Sequence, residues 1–362
     1  MIDTKICDWL MDNADAPIRY RVAREFLKDE QAAKKIEPEL FEHKDVQKWL
    51  AFLKPHDPPQ HRNMEHGCFD FNLENAMSKC VHFGLHGGMP QMQDAVGHYI
   101  KNKMNNAYTI KPCRFQFNEV MTANFLSLAG IKDDNTLKFM LVSLDEMYAF
   151  AKQNIYDIYL SPEERAKLTG IPKNWQNTEY FIKPDLVKEY GFCYPLIYDI
   201  VGLYRLYELK DNDIDMKINT VVNYFTCDDY QTKICGGYGI LIAGHYESGN
   251  PKYHGMGWSV HYPGWFDIGE YMDANAPGML YFADFIKRYP LVLKTKWFSN
   301  LTSYLEKYKT DKDTYIFPKE WLPEKSGYAV NGFHLSFGEN KRKKNWLEIE
   351  STFYMQLLTQ NN

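Results

Sequence analysis

The chain has 362 residues, 45% hydrophobic and 25% charged, which is enough apolar material for a sizeable core in one large domain or two average ones. A formal charge of −5 and a pI near 6.1 argue against a nucleic-acid partner, because phosphate binding needs a concentrated positive field. Seven cysteines (Cys7, Cys68, Cys80, Cys113, Cys193, Cys227, Cys235) with no Cys-x-x-Cys pair, acids in place of a signal peptide at the amino terminus, and no apolar run long enough to span a membrane make the chain read as soluble and cytoplasmic.

Helical periodicity dominates from the start. In Ile18 to Leu27 the residues Ile18, Val22, Phe26 and Leu27 share a face, with Asp15 or Ala16-Pro17 opening the helix. Similar stripes predict helices over Val46 to Leu53, Ala76 to Leu85, Met92 to Met104, Val120 to Ala129, Leu137 to Ala151, Leu196 to Leu209, Ile214 to Phe225, Met279 to Arg288, Trp297 to Tyr308 and Ile349 to Leu358. Strand signals are few, and the alternation over Tyr328 to Leu335 is the best of them. The helices pair around short Asp-, Asn- or Gly-containing turns. From Gly87 to Gly130 is 43 residues and from Gly130 to Leu209 is 79, close to two units, which is the signature of stacked helical hairpins.

Between Cys227 and Asp267 the chain gathers Tyr230, Tyr238, Tyr246, Tyr253, Trp258, Tyr262, Trp265 and Phe266 among histidines and glycines. A stretch of this length without strong periodicity suits a lid or binding loop, so the site is expected here.

The paired-helix layout, with the opening DWLMDNADAPIRYRVAREFL, resembles the squalene-cyclase and protein-prenyltransferase superfamily. That resemblance implies an all-α fold, an α/α toroid of paired helices over residues 1–362, with 227–267 as an aromatic insertion over a central cavity. It implies an enzyme acting by acid catalysis on a hydrophobic or isoprenoid-like small molecule. Two other readings compete: a non-catalytic toroid that holds a ligand or peptide, and a carbohydrate-active (α/α) barrel. The family's catalytic boxes are missing. No Asp-x-Asp-Asp box occurs, the nearest text being Thr226-Cys227-Asp228-Asp229, and Asp229 lies six residues before Cys235 where prenyltransferases carry Asp-x-Cys.

Residue chemistry offers its own candidates. Asp228 and Asp229 are paired acids beside Tyr230, and a carboxyl next to a second one in a dry aromatic setting is raised toward a general acid's range, although capping of the next segment is the competing role. Tyr230, Tyr238, His254, Trp258, His261, Tyr262, Trp265 and His334 are expected to line the substrate cavity, since aromatic faces presented from Gly and Pro turns stabilise cations and stack on flat ligands. No cofactor is expected; zinc held by His245, His254 or His261 with Cys227 or Cys235 is the alternative, at spacings that match no standard finger. His66, Cys68, Cys80, His82 and His86 form a second dense group, in which Cys80 reads as core and His82 or His86 as the polar edge of a helix. Glu350-Ser351-Thr352 reads as a helix start, with Glu350 and His334 as candidates for the cavity mouth. Lys341 to Lys344, flanked by Glu339, Glu348 and Glu350, read as a solvated loop.

Overall fold

The structure is a computed structural model that describes residues 4–55, 65–109, 116–186 and 195–359. Its main helices are α1 (Thr4–Asn13), α2 (Ala16–Arg21), α3 (Glu30–Glu42), α4 (Lys44–Leu53), α5 (Leu73–His82), α6 (Pro90–Asn102), α7 (Phe117–Leu128), α8 (Asp134–Ala151), α9 (Asn212–Thr226), α10 (Asp228–Lys233), α11 (Ile268–Ile286), α12 (Lys296–Leu305) and α13 (Trp346–Thr359). One antiparallel pair of strands, β1 (Tyr238–His245) and β2 (Pro251–Trp258), interrupts them. The fold is mostly helical, as the periodicity predicts, and the predicted stripes each meet helical structure. Absent from that prediction are α1 and α3: α3 buries only Ala33, Ile36 and Leu40 and carries Pro38 in its interior, where proline is normally a helix breaker. Among the described residues, no helix is long and apolar enough to cross a membrane.

The chain divides into two compact units, one of residues 1–105, 125–133 and 263–362, the other of 106–124 and 134–262. In the first, α2 packs on α3 and α4 on α5, while α11 packs on α12 and α13. Pro17 sits in the first turn of α2, where its missing N–H has no intrahelical partner to lose. Two of the repeat turns meet directly: the Gly87 N–H donates to the Ala129 carbonyl at 2.7 Å, and a Cβ on Gly87 would strike the backbone of Gly130. Pro277 kinks α11 at Asn275, and Gly332, at φ 75°, lays its backbone on the Pro277 carbonyl where no side chain fits.

Residues 309–345 carry little regular structure, so their buried backbone groups must find other partners. Helix side chains supply them. The Thr352 and Ser351 hydroxyls accept the N–H groups of Tyr315 (2.9 Å) and Phe317 (3.0 Å). Glu350 Oε1 accepts from the Phe337 N–H at 2.9 Å, the Glu339 N–H at 3.1 Å and the Ser336 hydroxyl at 2.9 Å. Asn75 Oδ1 accepts the Ala329 N–H at 2.6 Å. The expectation of a helix start at Glu350-Ser351-Thr352 is therefore corrected: these residues lie inside α13, fully buried, and serve the irregular segment instead of a helix end. Tyr328 to Leu335 likewise forms no strand. Gly327 and Gly332 take φ of 140° and 75°, which ends the alternation and leaves a helical turn at Ala329–Asn331 and an isolated bridge between Glu324 and His334.

In the second unit α8 packs on α9, and the hairpin buries Ile240 and Tyr253 against Phe181, with Trp175 and Ile242 alongside. The segment expected to be irregular thus holds α10 and both strands, and only its last part lacks regular structure. Glycines at 239, 244, 255 and 257 mask the strand alternation, and two register shifts in β1 break it further.

Candidate functional site

The residues singled out in the sequence fall in both compact units and differ in burial. Asp228 and Asp229 lie in the first turn of α10 and are exposed, and Asp229 pairs with Lys233 at 2.8 Å. Such a surface pair contributes little, so Asp228→Asn with Asp229→Asn should move unfolding stability by less than about 1 kcal/mol; a larger loss by urea denaturation would show that these acids are structural. Tyr230 and Tyr262 are core residues of the second unit. The Tyr230 hydroxyl donates to the Pro195 carbonyl at 3.2 Å and accepts the Val260 N–H at 2.9 Å, and burial pushes both phenols well up. His261 Nε2 donates to the Gln231 carbonyl at 2.7 Å, and burial lowers its pKa. His254 is exposed on β2, Trp258 is half-buried at the end of that strand opposite Tyr238, and the Tyr238 side chain lies outside the described residues. Trp265, half-buried, and His334, buried, belong to the first unit. Among the described residues, no group of three or more His, Cys, Asp or Glu side chains is placed to hold a metal ion. Cys113 and Cys193 lie outside the described residues; Cys80 is core, and Cys68 is exposed.

A denser concentration of chemistry stands in the first unit, where α2, α5 and α11 come together. Beyond α2 the chain widens into a π turn, Val22–Phe26, a geometry frequent at functional sites. Arg21 grips Glu25 through two parallel bonds, Nε to Oε1 at 2.8 Å and Nη2 to Oε2 at 2.7 Å, and its Nη1 donates to the His82 carbonyl at 2.9 Å. Its guanidinium also lies over the Phe353 ring, 5.3 Å from the centroid. From α11 come Tyr281 and Asp284, followed by Lys287 and Arg288; Asp284 and Lys287 are 3.3 Å apart. From α5, the Ser78 hydroxyl lies 3.5 Å from the Tyr281 hydroxyl. Glu25 and Asp284 are crowded by protein, yet their side chains keep 27% and 13% of their solvent contact. Both carboxylates are thus packed into the wall that α2, α5 and α11 form without being sealed from water.

The electrostatics of this wall are lopsided toward the positive. Burial works to raise the Asp284 pKa, but Lys287, Arg288 and Arg21 outweigh it and hold the carboxyl well below its usual range. His82 is pushed well down by burial, then by Lys79 and Arg21, and so stays neutral. Its Nε2 meets the Leu335 carbonyl at 2.8 Å and must carry the proton, which leaves Nδ1 as an acceptor with no hydrogen bond among the described residues. The ring is fixed by stacking on Phe337, centroids 3.9 Å apart. Burial raises the Tyr281 phenol to about 12, so it remains a proton donor. A fixed neutral imidazole, a protonated phenol and an ionised carboxylate beneath several cations can bind an anion and move a proton beside it.

No protein family, curated protein or solved structure matches this chain. Of the wall's members the sequence pointed only to His82, as a polar helix edge. A signal for α11 was present: Asp284 and Lys287 interrupt an otherwise apolar run, FADFIK, at a place where a buried stripe should carry no charge.

Proposed function

We propose that this chain is an enzyme whose first unit binds a small molecule with an anionic head and an apolar, isoprenoid-like body, and moves a proton through His82 and Tyr281. The observation that carries this reading is the shared electrostatic origin of two states: the cations around Asp284 keep it ionised, and Arg21 with Lys79 helps to keep His82 neutral. An anion entering that field would oppose those cations and raise the His82 pKa toward the operating pH, so that substrate binding itself would prime the base. Phe337, Phe353 and Tyr354, fully buried behind the charges, back the site with apolar core and keep bulk water from that side. The paired helices and their recurring turns support an α/α toroid, and with it the substrate class that the superfamily resemblance implies. In this reading the acid–base work belongs to the wall of α2, α5 and α11, while Asp228 and Asp229 serve the start of α10.

The test is a titration of the His82 ring resonance with inorganic pyrophosphate and with a short allylic diphosphate. Saturable binding of either should raise the His82 pKa by about one unit or more, and the allylic compound should bind the tighter of the two. Failure of both ligands to saturate, or saturation with no change at His82, removes the proposal.

A further inference from the structure

The excursion from Pro323 to Ser336 carries a second polar centre that the wall does not use. Lys79 anchors it from α5, almost fully buried, and donates to the Glu324 carboxylate (Oε2, 2.8 Å), to the His334 carbonyl (2.7 Å) and to the Ser336 carbonyl. An ammonium has three protons, so these bonds use all of them. His334 Nε2 lies 3.0 Å from the Gly327 carbonyl and must donate to it, which places the lone pair on Nδ1. That atom is buried without a hydrogen bond among the described residues, and it faces Glu324 Oε1 at 3.9 Å. Burial, with Lys79 adding to it, lowers the imidazole pKa to about 4, so no proton sits between the two atoms near neutrality. The Trp49 ring, 4.5 Å away edge-on, keeps the imidazole in place.

Two acceptors thus converge with no donor between them, and the buried one, His334 Nδ1, is of a kind normally satisfied. We propose that the Glu324–His334 pair of the first unit is a binding site for the primary ammonium group of a small molecule. A nitrogen between atoms 3.9 Å apart reaches both at about 2.8–3.0 Å, the length of an ordinary hydrogen bond. Charge favours an ammonium over a hydroxyl. Asp70 Oδ1 stands 3.8 Å from His334 Nε2 and makes no hydrogen bond among the described residues, so the carboxylates of Asp70 and Glu324 both lie beside this imidazole, with Lys79 held by its own three bonds and Lys48 acting on the ring as a second positive charge. The Glu324 side chain keeps 28% of its solvent contact and provides the way in, while His334 at 4% forms the floor.

The experiment follows the His334 ring resonance, assigned by its loss in His334→Gln, during titration at neutral pH with n-propylamine hydrochloride and, separately, with tetramethylammonium chloride at matched ionic strength. Propylamine should shift the resonance saturably; tetramethylammonium, a cation with no N–H to donate, should not. Glu324→Gln should weaken the propylamine response about tenfold, as expected for loss of a charge-assisted hydrogen bond. No saturable shift with propylamine, or an equal response to both cations, overturns the proposal. Should the variant fail to fold, the comparison of the two cations on the unaltered protein decides alone.

Discussion

Lys79→Ala is expected to destabilise the first unit by about 3–5 kcal/mol, the loss typical of removing one partner from a buried ion pair. The reason lies in what the substitution leaves behind. Lys79 is 1% exposed and its ammonium satisfies the carbonyls of His334 and Ser336 as well as Glu324, while lying 4.5 Å from the Phe83 ring centroid. Alanine would strand two buried carbonyls in a segment that has no ladder of its own to pair them. Glu324 is partly exposed and recovers some hydration, so the carbonyls carry most of the loss. Lys79→Met restores volume without donors and should regain only the packing share. Combining it with Glu324→Gln should give less than the sum of the two single losses, since each alone orphans the other. Urea unfolding midpoints at unchanged slope are the measurement. A loss below about 1 kcal/mol for Lys79→Ala would mean that the excursion from Pro323 to Ser336 is held by its apolar contacts, and that Lys79 is incidental to it.

That dependence on single polar side chains also explains which parts of the structure were legible in the sequence. The helices were, because an apolar stripe such as Ile18, Val22 and Phe26 has few alternatives to burying one helical face. The repeat turns were legible at Gly87 and Gly130, which meet in space. The β1–β2 hairpin was not, since its glycines and register shifts remove the alternation that betrays a strand; its one plain signal was the turn at Ser248-Gly249-Asn250, with Gly249 at φ 79°. The aromatic segment looked like a cavity lining because composition does not distinguish a dry core from a binding surface. Tyr230 and Tyr262 lie in the core, where backbone groups satisfy the Tyr230 hydroxyl. The charged wall was hidden for the opposite reason. Arg21 and Glu25, four apart, look like a solvated helix pair, and only the packing of α5 and α11 around them turns that pair into a half-buried clamp. Glu350, expected at a helix start or the cavity mouth, is instead a carboxyl within α13 where no solvent face is available, because only the packing of the irregular segment against that helix covers it.

Glu350→Gln is expected to become progressively more stable than the unaltered protein as pH rises, by about 3 kcal/mol between the carboxyl's ordinary pKa and a little above 7. Burial raises the folded pKa of Glu350 from 4.5 to about 7, against the opposing pull of Ser336, the Glu339 N–H and Lys79. A carboxyl raised on folding holds its proton more tightly in the folded chain. Its contribution is therefore fully favourable below pH 4.5 and is lost as pH climbs through about 7. Glutamine keeps an oxygen for the three donors from Ser336, Phe337 and Glu339 and cannot ionise, so it escapes the loss. The unaltered protein alone would not reveal this. Glu339, raised to about 7 by burial against the pull of the Asp15 N–H and Lys343, runs with Glu350. His82 and His334, lowered on folding, contribute stability that is present above their unfolded pKa and disappears as pH falls. The difference between variant and parent cancels the histidine contributions and leaves Glu350 together with the part of Glu339 that its charge raises, and urea unfolding of both proteins at about pH 5 and about pH 8 measures it. A gap that does not change with pH would mean that Glu350 ionises as easily folded as unfolded. The hydrogen bonds donated by Ser336, Phe337 and Glu339 would then be accepted by a carboxylate stabilised by Lys79, and the role of Lys79 would grow accordingly.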